Sequence, residues 1–306
     1  MKTFAHGAAT VTFTFEGTGN ASGFSHSDTL SFTTFQVDIA TRKQGTIAAP
    51  ADGLVVHTAD TLEFAVSPEF FGTAAIMQDQ INWQYCQLNN DGTYTAWQGF
   101  SGNTGKGTTF VTTMAGGIYR IRANIGNGTF EYVWEKDEPT DIGTRKKGQP
   151  NHIGVCDEQW QINVRNEAVS YIGSTEYALT ATIPAENGFS RIPADSPKCS
   201  IFVAHCCVAA GTPVPAINGV RPRRYPPLAN QWADVPPTAI QGWQLLPVNG
   251  FPQPGYVVAH PVAGGTGHCG IVDYDGLAIA AGVYIVHRRA DHGLQGINVR
   301  YRRYQQ

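Results

Sequence analysis

Up to residue 138, short runs of alternating apolar and polar residues recur with the two-residue period of half-buried strands. Val11, Phe13 and Phe15 alternate with threonines, and segments 30–32 and 35–37 repeat the pattern. Segments 61–66, 81–85, 93–97, 108–112, 118–123 and 129–134 are further predicted strands. Asp91-Gly92, Gly105-Lys106-Gly107, Gly116-Gly117 and Gly126-Asn127-Gly128 punctuate them as turns. Many short strands separated by such breakers predict an all-β sandwich over residues 1–138.

The pattern then changes. Residues 139–152 are charged and rich in Pro and Gly, the composition of a linker. Apolar positions at Trp160, Val164, Ala168 and Tyr171 follow a helical period within segment 159–179, a second helix is predicted after Ser196-Pro197, and strands return after residue 255. Residues 153–306 therefore read as a second, α+β domain. In the first domain, the sequence from about residue 45 resembles an immunoglobulin-like sandwich. Trp83 stands at the position of the buried central-strand tryptophan and Tyr119 at that of the tyrosine corner, while Cys86 has no nearby cysteine for an inter-sheet disulfide. With no cluster of His, Asp or Glu, this part reads as a binding or delivery module, or as a spacer.

Composition narrows the function classes. With 42% hydrophobic and 15% charged residues, the chain is expected to pack rather than stay disordered. A net charge of −3 gives no whole-chain attraction to nucleic acid. Arg288, Arg289, Arg300, Arg302 and Arg303 form a local basic stretch, either a solvated strand face or an attraction to an anionic polymer. No run reaches the ~20 apolar residues of a membrane span, so stable membrane insertion is not expected. Residues 1–7 lack the apolar core of a signal peptide; the expectation is synthesis in the cytoplasm and export by a dedicated secretion system to the periplasm or cell wall of a target cell. The six cysteines, at 86, 156, 199, 206, 207 and 269, contain no Cys-x-x-Cys pair. Neither a structural zinc site nor a disulfide framework is expected, and no metal or cofactor is called for.

Candidate chemistry lies in the second domain. Ser196 and Pro197 predict an N-cap and a first helical position, which puts Cys199 in the first turn. There unpaired N–H groups and the helix dipole favour a thiolate, and Lys198 adds a nearby positive charge. Cys206 and Cys207 fall mid-helix and read as core. His268 begins a predicted strand that ends at the Asp275-Gly276 turn. Strand alternation puts His268, Gly270 and Val272 on one face and Cys269, Ile271 and Asp273 on the other, so Cys269 is expected to stay away from the His268 site. A cysteine at a helix start and a histidine in the same domain form a candidate nucleophile–base pair.

Several segments together resemble the NlpC-type branch of papain-like cell-wall peptidases, in its amidase and toxin-like members, over roughly residues 165–290. They are Lys198-Cys199-Ser200-Ile201-Phe202-Val203, Ala209-Ala210-Gly211-Thr212-Pro213, Leu228-Ala229-Asn230-Gln231-Trp232, Pro254-Gly255-Tyr256-Val257-Val258-Ala259 and Gly267-His268-Cys269-Gly270-Ile271-Val272. The resemblance implies a papain-like fold and a cofactor-free hydrolase of peptidoglycan stem-peptide amides, with Cys199 as nucleophile and His268 as base. Its implied partner is peptidoglycan; the lack of a signal peptide adds the expectation of an antibacterial effector, with secretion machinery and an immunity protein as further partners, or of a phage-type lysin. Ser200 stands where the family has Asn, and Tyr256 where it has Asp. The strand after His268 offers no polar residue to orient the imidazole, which leaves His287, Asp291 or a backbone carbonyl for that task. Two other readings stay open: a papain-like hydrolase or acyltransferase on protein or lipid, and a catalytically inactive adhesin or structural protein.

Overall fold

The computed structural model describes residues 7–16, 25–34, 39–43, 54–66, 81–100, 109–125, 151–247, 250–265, 267–289 and 299–305. The predicted strands at 35–37 and 129–134, most of the expected linker, and Asp291 lie outside these residues.

The N-terminal part is built from strands. β1 (Gly7–Glu16) and β2 (Ser25–Thr34) form an antiparallel ribbon in which Val11 pairs with Leu30. β3 (Ile39–Lys43), β5 (Leu62–Val66) and β8 (Thr109–Thr112) make a three-stranded sheet. β4 (Leu54–His57), β10 (Asn151–Cys156), β9 (Gly117–Ile125), β6 (Ile81–Gln87) and β7 (Gln98–Gly99) make a five-stranded one. The predicted strand at 93–97 contributes only a bridge between Leu88 and Tyr94. Phe64 of the smaller sheet meets Trp83 of the larger at 5.6 Å between ring centroids. Both are buried with Phe110, Ile121, Ile153 and Val155 in one core, so the two sheets face each other across their apolar sides. The Tyr119 hydroxyl donates to Ala115 O at 3.0 Å, closing the expected corner.

The domain boundary is corrected. Residues 151 and 152 were expected in a linker, and 153 onward in the second domain. Instead β10 fills the gap between β4, which it meets in parallel, and β9. Ile153 and Val155 bury their side chains in the sandwich core, a gain that a solvated linker would forgo. The chain then passes directly into α1 (Gln159–Ser170). The Gln161 side chain accepts the Glu158 N–H at 2.8 Å, satisfying one of the orphan donors at the helix start. The helix ends near Gly173, whose φ of +85° leaves the helical region, short of the predicted residue 179.

The C-terminal part is an antiparallel sheet in the order β11 (Trp243–Leu245), β16 (Arg300–Tyr304), β12 (Val257–His260), β13 (His268–Val272), β14 (Ala278–Ala281) and β15 (Val286–Arg289). α1, α2 (Cys199–Ala209) and the short α3 (Ala229–Trp232) pack on it. This is a sheet-rich α+β arrangement, and no helix among the described residues is long and apolar enough to cross a membrane. Two arginines of the basic stretch are internal. Arg288 is buried against Asp273 at 2.6 Å and Asp275 at 2.5 Å. Arg302 donates to Trp232 O, Thr238 O and Asp234, and Arg303 donates to Gln244. Arg288 and Arg302 are thus committed to internal partners, while Arg300 is exposed and Arg303 bonds at the surface.

The two parts share apolar packing. Leu88 and Ile118 of the sandwich belong to the core of the C-terminal part. The Gln253 amide donates to Asp157 at 2.6 Å and its oxygen accepts from Gln161, also at 2.6 Å. Gly154 is needed here, because a Cβ on it would sit 2.3 Å from Pro254. The protein should therefore unfold in urea as one unit. Leu88→Ala should lower that single transition by about 2–4 kcal/mol, whereas two separate wild-type transitions would show that the parts unfold independently.

Candidate active site

The nucleophile candidate is placed by a helix start that differs in detail from the expected one. α2 begins at Cys199 itself, with Lys198 as the N-cap residue, and neither Ser196 nor Pro197 lies in the helix. The first helical bond runs from the Phe202 N–H to Lys198 O at 2.9 Å. The N–H groups of Cys199 and Ser200 thus have no carbonyl partner within the helix. At the other end, the Thr212 N–H donates to Cys207 O and the Gly211 N–H to Val208 O, with Gly211 at φ +82°. This double closure is a Schellman motif and explains why the helix stops at the predicted glycine.

Lys198 does not act as a free charge beside the sulfur. Its ammonium donates to Ser196 O at 2.6 Å, Pro193 O at 2.9 Å and Leu179 O at 3.3 Å. It cross-links the loop that delivers Cys199, and its burial pulls its pKa down. Below the helix, Tyr177 packs on Phe202 with ring centroids 5.1 Å apart, and its hydroxyl meets His205 Nδ1 at 2.9 Å.

His268 enters from the opposite side, as the first residue of β13. Three devices fix the loop before it. Asn230, on α3, donates to Gly265 O at 2.8 Å and Val262 O at 3.2 Å, and accepts from the Val262 N–H at 3.0 Å. Gly267 adopts φ +71°. A Cβ on Gly267 would lie 2.4 Å from Asn230 Oδ1 and 2.6 Å from His260 O, so only glycine fits. His268 itself pairs with His260 on β12. Asn230 was not singled out from sequence as a site-building residue; its only signal was membership of a motif whose role was unstated.

Cys199 is the one cysteine of the six whose pKa is pulled down. Hydrogen bonding from the Cys269 thiol is the largest favourable cause, followed by the hydrogen bond and positive charge of the His268 ring, and together they outweigh burial. Burial pushes the other five up: Cys86, Cys156, Cys206 and Cys269, and Cys207 to about 12. All six are free thiols. The expectation that Cys269 lies away from the His268 site is therefore corrected. Cys199 sits over the first residues of β13, just past a left-handed glycine, and there both sides of the strand are within its reach.

The remaining positions separate into two groups. Tyr256 is buried and stacks on Trp160 at 6.3 Å, as part of the core. His287 pairs across β14–β15 with Ala280. A Cβ on Gly270 would lie 3.1 Å from the Ala280 Cβ, so Gly270, Ala280 and His287 project on one face, the face that alternation also assigns to His268. Two near-empty positions, Gly and Ala, separate the two histidines on that face. Among the described residues, no group of three or more His, Cys, Asp or Glu side chains is arranged to hold a metal ion.

A depressed folded pKa keeps Cys199 as thiolate to a lower pH than an ordinary thiol and returns it to thiol as the pH falls through that value. Iodoacetamide at pH 7 should therefore alkylate Cys199 first. Peptide mass spectrometry should find Cys206 and Cys207 unmodified until the fold is opened with denaturant; equal labelling of the three would remove the distinction. No family model, curated protein or solved structure matches the chain.

Proposed function

We propose that this chain is a cysteine amide hydrolase of the papain-like, NlpC type, cutting a stem-peptide amide of peptidoglycan, with an immunoglobulin-like sandwich fixed to its N-terminal side. The observation that carries the reading is the depressed thiol of Cys199, at the first residue of a helix and with the His268 ring among the groups that pull its pKa down. The Cys-before-His order and the flanking motifs supply the family; the buried Trp83 and the Tyr119 corner support the immunoglobulin-like part.

The chemistry follows from the geometry. The Cys199 thiolate attacks the amide carbonyl, and the N–H groups at the start of α2 donate to the developing oxyanion. The His268 imidazolium gives its proton to the leaving amine. His268 then takes a proton from water, which attacks the thioester, releasing the acid and restoring the thiolate. His287 orients the His268 ring across the Gly270–Ala280 gap, the role that β14, reading Ala278-Ile279-Ala280-Ala281, cannot fill. In this reading the protein is an antibacterial effector exported to a target cell wall.

A second reading rests on the rim of the site. The turn between β14 and β15 lies at the same end of the sheet as His268, and it exposes Val283 at 53% and Tyr284 at 81%. Val262, in the loop before His268, is exposed too. An apolar rim suits a protein segment or an acyl chain, so the same Cys–His pair could serve a protein- or lipid-directed hydrolase.

Purified peptidoglycan, a denatured protein mixture and a phospholipid suspension, each incubated with the chain and read by mass spectrometry, separate the two readings. The proposal expects soluble muropeptides with a new amine and carboxyl at one bond, and release from the first substrate alone. Cys199→Ala and His268→Ala should each lower that release at least about a thousandfold, and Cys206→Ala should leave it within about twofold. His287→Ala should lower kcat by up to about a hundredfold with little change in KM.

A further inference from the structure

One patch of the C-terminal part carries positive charge that the described residues leave uncommitted. Residues 196–233 contain no Asp or Glu, and within them Arg221, Arg223 and Arg224 are exposed. Arg191, exposed as well, lies beside them, because its neighbour Ser190 is bonded twice to Arg224. The Ser190 N–H donates to Arg224 O at 2.7 Å, and the Arg224 N–H donates to the Ser190 hydroxyl at 2.8 Å. Among the described residues no carboxylate pairs with any of these four guanidiniums. The acids around the patch are turned to other cations. Glu186 meets His205 at 3.0 Å, Asp234 meets Arg302 at 2.9 Å, and the charge of Asp195 acts on Lys198.

The arginines stand on a built turn. Asn218 and Tyr225 pair through both backbone bonds, at 3.2 and 2.9 Å, and the Arg223 N–H donates to Val220 O at 2.8 Å. Gly219 has φ +91°, and a Cβ on it would lie 2.5 Å from Arg223 O. The Asn218 and Gln231 side-chain amides exchange bonds of 2.8 and 3.0 Å, which fasten the loop to α3. At the tip, Val220 is 85% exposed, more than any other large apolar side chain among the described residues.

We propose that this turn adsorbs to an anionic lipid surface, with Val220 entering the headgroup layer and Arg191, Arg221, Arg223 and Arg224 resting on the phosphates. A bilayer interface offers both chemistries in one plane, an apolar boundary just beneath a layer of negative charge. A soluble polyanion would satisfy the arginines and leave Val220 in water. A protein partner would need a socket cut to the tip, whereas a bilayer needs none, and a turn already fixed by its own bonds loses little freedom on contact. One aliphatic side chain beside a basic cluster makes the attachment reversible, an adsorption rather than an insertion. The inference does not depend on the hydrolase reading.

Vesicle flotation of the full chain tests it. The chain should float with vesicles of about one-third phosphatidylglycerol in phosphatidylcholine and stay behind with pure phosphatidylcholine. Raising the salt from about 0.1 M to about 1 M should release it, because the Debye length falls from about 10 Å to about 3 Å. Arg223→Gln should weaken binding about fivefold, and Gln at 221, 223 and 224 together about a hundredfold. Val220→Ser should weaken it about fivefold, and Val220→Trp should strengthen it. Equal flotation with neutral and anionic vesicles overturns the proposal. So does flotation with neither, which would turn the search to an acidic protein. Binding that inorganic polyphosphate displaces, and that both Val220 variants leave unchanged, marks a plain polyanion site and overturns it too. If circular dichroism shows that a variant does not fold, the lipid comparison and the salt series on the wild type still decide.

Discussion

The candidate site depends on one junction, where the first residue of α2 meets the first residues of β13. Helix and strand come from segments about seventy residues apart in sequence, so nothing local holds them together. The packing of α2 on β13 and β14 does. Phe202, Val203, Ala204 and Cys206 of α2 are buried in one core with Cys269, Ile271, Ile279 and Ala280 of the sheet. Small residues on the strands let the helix approach closely, and that closeness puts a sulfur beside an imidazole. The loops on either side then have one task, to stop their residues from wandering. Lys198 does this for the loop before the cysteine, by binding three carbonyls, and Asn230 for the loop before the histidine. Both use a buried or half-buried polar side chain to satisfy backbone groups that irregular chain would otherwise leave open.

Much of this was legible in the sequence because the signals are short-range. Period-two runs located β5, β6, β8 and β9, and a helix that stops at Gly211 follows from a residue able to adopt positive φ. A cysteine at a helix start needs only the position of that helix. The unreadable features are those set by partners far along the chain. β10 carries a strand's side chains, but its neighbours β4 and β9 lie about a hundred and about thirty residues earlier, so its composition alone resembled the start of a new domain. The arginines near the C-terminus read as surface for the same reason. Their carboxylate and carbonyl partners, among them Asp273, Asp234 and Trp232, are spread through the sequence.

Alternation assigned Cys269 correctly to one side of its strand but could not say what would sit above the strand's first residue. Ser200 and Cys269, each unremarked alone, turn out to be neighbours in space. They also occupy the positions next to the candidate nucleophile and the candidate base. β14 carries no polar residue, and His287 stands one strand further on, opposite Ala280.

The sandwich joins the C-terminal sheet at the end remote from His268. Leu88 packs beside Gly276, the Tyr94 hydroxyl donates to Asp275 O, and β10 runs without a break into α1. β13 spans the interval, roughly 15–20 Å at about 3.3 Å per residue. Such a joint works as a gauge rather than a leash. The distance from the sandwich to the Cys199 sulfur is therefore set by the fold itself and does not vary as it would on a flexible tether.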